Sequence, residues 1–445
     1  MKKLSKVFLN TATLTVVALF SLSCDGSENP VNPEMELTES SLHFTSKAET
    51  SQTVEVKNVT NWEVVNNLDW ITAQKQGNNL IVTAQPSRLL TNREGIITVV
   101  NTDKPESLAE IQILQDHGTP KVYTLDLDGV PLEHLSNNGR YAAGEWNQTG
   151  IVFDIEKISN VNYTAPVYPF ADNPQLRSED LFSLSGVSNN GIPFAKGVTA
   201  DGTTTVKISV TGLDYIPILV KNGTDETQLP KPATWITSTG GDYLGVVPDL
   251  ISGDGKYIVG RIMNYGNIWV ACKWTLDGNT YKFSEIAPEE ITTEFDGMYT
   301  DITKYPKPQT STGLSLDGKY SCGVINKLPV GSYGNHEYTP YAYNMETGTL
   351  TKVSGEIDAI ATFVTDNGTL FYASPNQYPA VGDKNPYVYE NGQKSEFKAW
   401  VQTKYGIDIG TNAGYVSAVN KDESVVMWVT YEPTGFVNHV IVIEP

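Results

Sequence analysis

The stretch Ile251-Ser252-Gly253-Asp254-Gly255-Lys256-Tyr257-Ile258-Val259-Gly260 decides the fold. An apolar residue and a serine lead into Asp-Gly, a pair that tolerates the positive φ of a tight hairpin turn, and Tyr257 opens an alternating strand. The same string stands at Leu135-Ser136-Asn137-Asn138-Gly139-Arg140-Tyr141 through Gly144, at Val187-Ser188-Asn189-Asn190-Gly191 through Gly197, and at Leu314-Ser315-Leu316-Asp317-Gly318-Lys319-Tyr320 through Gly323. A fifth copy, Val364 to Phe371, keeps the turn; a sixth, Val419 to Val425, has Glu423 where the glycine would be. The copies recur every roughly 50 to 64 residues, and a repeat of that period must be read as architecture before any motif inside it is read as chemistry.

Each copy continues into a further strand, such as Gly150-Ile151-Val152-Phe153-Asp154, Trp269 to Trp274, Tyr341 to Asn344 or Tyr387 to Glu390, and several end in a turn at Asp277-Gly278, Thr347-Gly348 or Asn391-Gly392. A unit of this length with about four strands is the size of one propeller blade. The sequence therefore predicts a six-bladed β-propeller over residues 121–445, and it resembles the broad class of propellers with Ser-x-Asp-Gly-Lys repeats. A row of independent sandwiches is the other arrangement of the same strands. After the sixth copy, His439-Val440-Ile441-Val442-Ile443 leaves the last blade one strand short, and residues 121–127 are expected to supply it by pairing in that blade.

Upstream, residues 35–117 carry short alternating runs separated by Asn, Gly and Pro turns, as an immunoglobulin-like β-sandwich requires, so the chain as a whole is read as all-β. The order Asn61-Trp62-Glu63-Val64, Asp69-Trp70-Ile71, Leu80 to Thr83, Asn92-Arg93-Glu94-Gly95 and the closing Ile111-Gln112-Ile113-Leu114-Gln115 resembles a BACON domain, the Bacteroidetes-associated carbohydrate-binding, often N-terminal module. The resemblance implies either sugar stacking on Trp62 and Trp70 or a spacer holding its neighbour off a membrane. Alternation places both tryptophans in strands and favours the core for them, and thus the spacer.

Residues 1–23 read as a lipoprotein signal peptide: Lys2, Lys3 and Lys6 precede a mostly apolar run too short and interrupted to span a bilayer. Ser21-Leu22-Ser23-Cys24 resembles a lipobox, with Ser21 where Leu is commonest and Cys24 the residue to be lipidated. Residues 24–34 are polar and Pro-bearing, a flexible tether. The acidic residues after Cys24 resemble the surface-export signal of Bacteroidetes lipoproteins. An outer-membrane lipoprotein facing the cell exterior is expected.

With 51 acidic against 31 basic residues and a net charge of −20, the chain repels phosphate backbones, so nucleic acid is excluded as a partner. Cys272 and Cys322 are expected as buried free thiols, with a bridge between them the alternative. The histidines His43, His117, His134, His336 and His439 lack metal-ligand spacing, so neither metal nor cofactor is implied. No Gly-x-Ser-x-Gly, phosphate-cradling Gly-rich loop or His-Glu-x-x-His occurs. His336 beside Glu337 is the one local acid/base pair, and no catalytic residue is assigned.

The loops after the second strand of each repeat are rich in aromatics with neighbouring amides and carboxylates, a composition suited to stacking on and hydrogen-bonding to sugars. Trp146, Tyr265, Tyr333, His336, Tyr338, Tyr378 and Tyr431 are the candidate ligand-binding residues. The reading is a non-catalytic surface lipoprotein that binds a glycan or glycoconjugate through this face. A structural or adhesive protein with a protein partner, or a carbohydrate-active enzyme, are the alternatives.

Overall fold

The computed structural model describes residues 34–47, 51–136, 138–146, 149–169, 184–187, 193–195, 199, 203–211, 214–231, 243–264, 269–286, 308–327, 337–353, 355–356, 359–373, 385–410, 413–433 and 435–445. The chain is all-β: apart from the helix Phe397–Tyr405 and the 3-10 turn Ile155–Lys157, every regular element among these residues is a strand. Two compact units are present, a smaller one built mainly from Thr50–Ala84 and Gly95–Ile113 and a larger one built mainly from Leu114–Pro445.

The N-terminal strands form two four-stranded sheets. One has the order Glu36–Leu37, Gln52–Lys57, Asn79–Ala84, Ile71–Gln76; the other runs Ser41–Phe44, Leu108–Gln115, Arg93–Asn101, Trp62–Val65. Alternation does the sorting, since every second side chain points the same way. Val54 and Val56, Leu80 and Val82, Ile97 and Val99, and Ile111 and Ile113 are all buried. Trp62 is a core residue, 3% exposed, with the Lys75 ammonium 4.4 Å from its ring centre. Trp70 departs from the expectation. It lies in a turn just before strand Ile71–Gln76 rather than in a strand, and it is half-buried, because Asn66 folds the chain back there by accepting from the Leu68 N–H and donating to the Ile71 carbonyl.

In the larger unit the repeated turns are closed in the same way, the fifth one residue shorter than the others. The Ser136 hydroxyl accepts the Tyr141 N–H at 2.9 Å, and Ser252 and Ser315 do the same for Tyr257 and Tyr320, each at 3.0 Å. Thr365 substitutes for serine in the fifth copy and Asn420 in the sixth, accepting from Thr369 and Val425. All five are buried, so each side chain satisfies a backbone donor that would otherwise be stranded. Glycine at the left-handed position, φ +71° at Gly318, leaves room for the turn beside it. A Cβ on Gly318 would collide with Ser252, one on Gly139 would lie 2.5 Å from the Asn420 amide, and one on Gly368 2.9 Å from the Tyr320 ring. Each of these turns thus leans on the turn of another sheet, and the first leans on the last.

Four sheets of four strands follow the repeats: residues 132–169, 308–352 and 360–396, and a last one ordered Tyr415–Val419, Val425–Glu432, Gly435–Glu444, Thr119–Leu125. In that last sheet the chain's final strand pairs antiparallel with Thr119–Leu125, from Asn438 opposite Leu125 to Glu444 opposite Thr119. Lys121 and Tyr123 both donate to the Glu444 carboxylate.

The second and third repeats differ from the even pattern expected of them. Among the described residues Leu184–Val187 pairs only with Pro193–Ala195, and Thr204–Thr211 and Asp214–Lys221 join the third repeat's strands in a seven-stranded sheet through a parallel contact of Tyr215 with Gly245. The turn expected at residues 188–191 lies outside the described residues. Thr199 makes the contacts of the serine turns: its N–H donates to the Thr204 carbonyl while its hydroxyl accepts the Thr204 N–H at 3.1 Å. The sequence there, Val198-Thr199-Ala200-Asp201-Gly202, carries the same motif with threonine for serine, within the second repeat.

The helix is the other departure. Phe397, Trp400, Val401 and Tyr405 share one buried face at helical spacing, and Gly406, φ +71°, ends it by donating its N–H to the Gln402 carbonyl. Phe397 and Trp400 stack on each other and meet Phe371 edge-on, which ties the helix to the sheet of residues 360–396, the fifth of the larger unit in chain order, the last being the sixth. Cys272 and Cys322 are buried free thiols.

The turn geometry is testable. Gly318→Ala combines a left-handed backbone with a clash on Ser252 and should lose about 2–4 kcal/mol in chemical denaturation, whereas Gly278→Ala, left-handed but in open space, should lose about 1 kcal/mol. Equal losses would show that the packing of turn on turn contributes nothing.

Candidate functional site

In the antiparallel sheets the serine turns lie at one end and the loops after the second strand at the other. Three of the sequence-predicted ligand residues are described, and each sits at that loop end. Trp146 pairs with Thr149, Tyr338 with Asn326 and Tyr431 with Phe436. Tyr431 is exposed, and its ring meets Phe436 edge-on, with centroids 5.4 Å apart and planes at 75°. Tyr338 is half-buried, with its carbonyl accepting the Ala359 N–H. Tyr265, Tyr333, His336 and Tyr378 lie outside the described residues, as does Cys24.

The loop half of the sheets also holds a pair that sequence reasoning did not find. Glu133, on strand Leu132–Leu135 of the first sheet, accepts the Tyr415 phenol at 2.8 Å; Tyr415 begins the first strand of the last sheet. Glu133 keeps some solvent contact yet is surrounded by protein on nearly every side. Burial pushes its carboxyl above the ordinary range, against the opposing pull of the Tyr415 hydrogen bond. A carboxyl held this way offers an acceptor and, when protonated, a donor to a polar ligand.

At the turn end, between the fifth and sixth sheets, lies a cavity of about 260 Å3. Asn367 and Thr369 come to it from the fifth serine turn, Glu390 and Asn391 from the turn that closes the fifth sheet, Lys404 from the helix and Glu423 from the sixth turn. Glu423 occupies the left-handed position, φ +58°, that glycine holds in the other copies. Its carboxylate accepts from Lys404, and its carbonyl accepts from the Tyr405 hydroxyl at 2.9 Å. Those contacts account for a glutamate where the backbone favours glycine. Glu390 accepts from the Thr369 hydroxyl at 3.0 Å and the Trp400 indole at 3.4 Å. Burial lowers the Lys404 ammonium's pKa, and Glu390, 3.9 Å away, opposes the shift.

Among the described residues no cluster of three or more His, Cys, Asp or Glu could hold a metal ion. His439 is built into the last sheet: it stacks on Trp428, with centroids 4.9 Å apart, and bonds to Thr124 and Thr430.

No family model matches the chain, and no curated protein matches it. Among solved structures, a protein from Bacteroides thetaiotaomicron is 14% identical over 21% of this chain and 98% of its own, with a TM-score of 0.17. The Bacteroides ovatus GH5 xyloglucanase, solved in complex with a XXXG heptasaccharide, is 14% identical over 25% of this chain and 30% of its own, at 0.18. The tricorn protease is 13% identical over 76% of this chain and 30% of its own, at 0.33. The match therefore spans under a third of the xyloglucanase and protease chains. All three TM-scores are below 0.5, and the likenesses assign no function.

The burial of Glu133 makes a pH prediction. Because the folded-state pKa is raised, the native chain holds this proton more tightly than the unfolded chain does. The stability it contributes is full below the ordinary glutamate range of about 4.3 and declines as pH rises through the raised native value. Glu133→Gln cannot ionise, so its Tm should match that of the parent near about pH 4 and exceed it increasingly toward neutrality. Parallel Tm curves across that range would contradict the burial of this carboxyl.

Proposed function

We propose that this protein is a surface lipoprotein that binds a glycan without cleaving it, through the loop end of a six-bladed β-propeller. In this reading Cys24 carries the lipid anchor in the outer membrane, and the two N-terminal sheets form a BACON-like sandwich that serves as a spacer. The burial of Trp62 under Lys75 supports a spacer, since a sugar platform needs an open ring face. The leaning of turn on turn, from Gly318 onto Ser252 and from Gly139 back onto Asn420, supports a ring.

The observation that carries the binding reading is Tyr431. An exposed tyrosine, 42% accessible and held edge-on by Phe436, presents a fixed aromatic face at the loop end. A pyranose offers a patch of C–H bonds to such a face and hydroxyls to the polar groups around it. The Glu133–Tyr415 pair, on first strands in the same half of their sheets, adds a polar partner.

Affinity electrophoresis through gels cast with a panel of polysaccharides tests this. At least one polymer should retard the parent protein, and Tyr431→Ala should weaken that retardation about five- to tenfold, the loss of roughly 1–1.4 kcal/mol. No retardation by any polymer, or retardation unchanged in Tyr431→Ala, would overturn the assignment of this face. Release of oligosaccharides during incubation would instead make the protein an enzyme.

A further inference from the structure

We infer that the turn-end cavity between the fifth and sixth sheets is a second binding site, specific for a neutral polyhydroxylated ligand the size of one sugar ring. The inference does not rest on the loop-end reading, because the cavity lies at the opposite end of the sheets and shares no residue with it.

The cavity exists because of the chain's one described helix. Phe397–Tyr405 follows the fifth sheet and carries Lys404 over the gap between the fifth and sixth turns. The rim is fixed by backbone that has little freedom: Asn391 at φ +52°, Gly368 at φ +84° and Glu423 at φ +58° all occupy the left-handed region inside tight turns. A rim already held in place loses little entropy when a ligand docks.

The lining chooses among ligand classes. Its volume, about 260 Å3, falls below that of drug-sized sites and suits a single ring. Two carboxylates, Glu390 and Glu423, face one ammonium, Lys404, so the local charge is negative and repels phosphate, sulfate and uronate groups. A cation is no better served. Lys404 pairs with Glu423 and lies 3.9 Å from Glu390, so an incoming cation meets an ammonium beside both carboxylates. The Trp400 ring carries that ammonium 4.7 Å from its centre, which closes this face to an apolar ligand. Hydroxyl groups fit what remains, since each can donate to a free carboxylate lone pair and accept from Lys404 or from the exposed amides of Asn367 and Asn391.

The test is amide NMR on the full mature chain, titrated separately with methyl β-D-glucopyranoside, methyl β-D-galactopyranoside, methyl α-D-mannopyranoside, spermidine and inorganic phosphate. Saturable shifts at Gly368, Asn391 and Lys404 are expected with at least one glycoside, with a Kd on the order of 1 mM, and not with spermidine or phosphate. Asn391→Gly removes one amide while keeping the left-handed turn, and Asn367→Ala removes the other. Each should weaken binding at least about threefold with the Tm unchanged. No glycoside shift at these residues, shifts with spermidine or phosphate alone, or undiminished affinity in both variants would overturn the inference.

Discussion

The antiparallel pairing of Thr119–Leu125 with Gly435–Glu444 is the constraint on which the larger unit depends. Joining segments more than 300 residues apart costs about 5 kcal/mol in loop closure beyond a constant term. Burial of Val440, Ile441, Val442 and Ile443 in the final strand offsets it, at about 1.5–3 kcal/mol for each side chain. The strand can be held there because both its neighbours are complete. Val425–Glu432 pairs on one side and Thr119–Leu125 on the other, so the last strand has no open edge. The contacts of Lys121 and Tyr123 with Glu444 hold the far end of the same pair.

The serine turns extend this constraint to the other sheets. A buried side-chain oxygen closes each hairpin on itself, a hydroxyl in all but the Asn420 turn, and the missing Cβ of Gly139, Gly318 and Gly368 lets those turns sit against others. Further links run between the fourth, fifth and sixth turns: the Asp317 N–H donates to Asp366 at 2.9 Å, and Lys421 donates to Asp317 at 2.6 Å. The turn end is therefore short, charged and closely packed. The loop end varies more in length, with two residues between Trp146 and Thr149 and nine between Lys327 and Glu337, and there the chain can change without disturbing the hydrogen-bonded turns. That division explains why the aromatic candidates fall at one end and the ionic cavity at the other.

Much of this was legible in the sequence because turn chemistry is local. Asp254-Gly255 and Asp317-Gly318 announce their backbone conformation without reference to the rest of the chain, and the alternating strands after them follow. The motif at Thr199 was harder to see, since threonine stands for serine and the better-looking Asn189-Asn190-Gly191 lies just upstream. The helix escaped because four apolar residues in a nine-residue segment are few to establish a period, and Phe397, Trp400 and Tyr405 are also strand formers. The sites were less legible still. Glu133 and Tyr415 meet across sheets that are adjacent only through the fold, and Lys404 with Glu423 likewise joins a helix to a turn. Nothing in either local sequence marks such a partner. Tyr431 was legible because exposure at a loop follows from its position beside Glu432-Pro433.

Native-state hydrogen exchange tests the central claim most directly. If the last strand is sealed by residues 119–125, the amides of that pair should exchange as slowly as those of Tyr257–Ile262 in the middle of the third repeat, and all should be lost together in one global opening. Fast, local exchange along 121–125 and 438–443 while Tyr257–Ile262 stays protected would mean that the two ends fray independently, and the closed arrangement would be wrong.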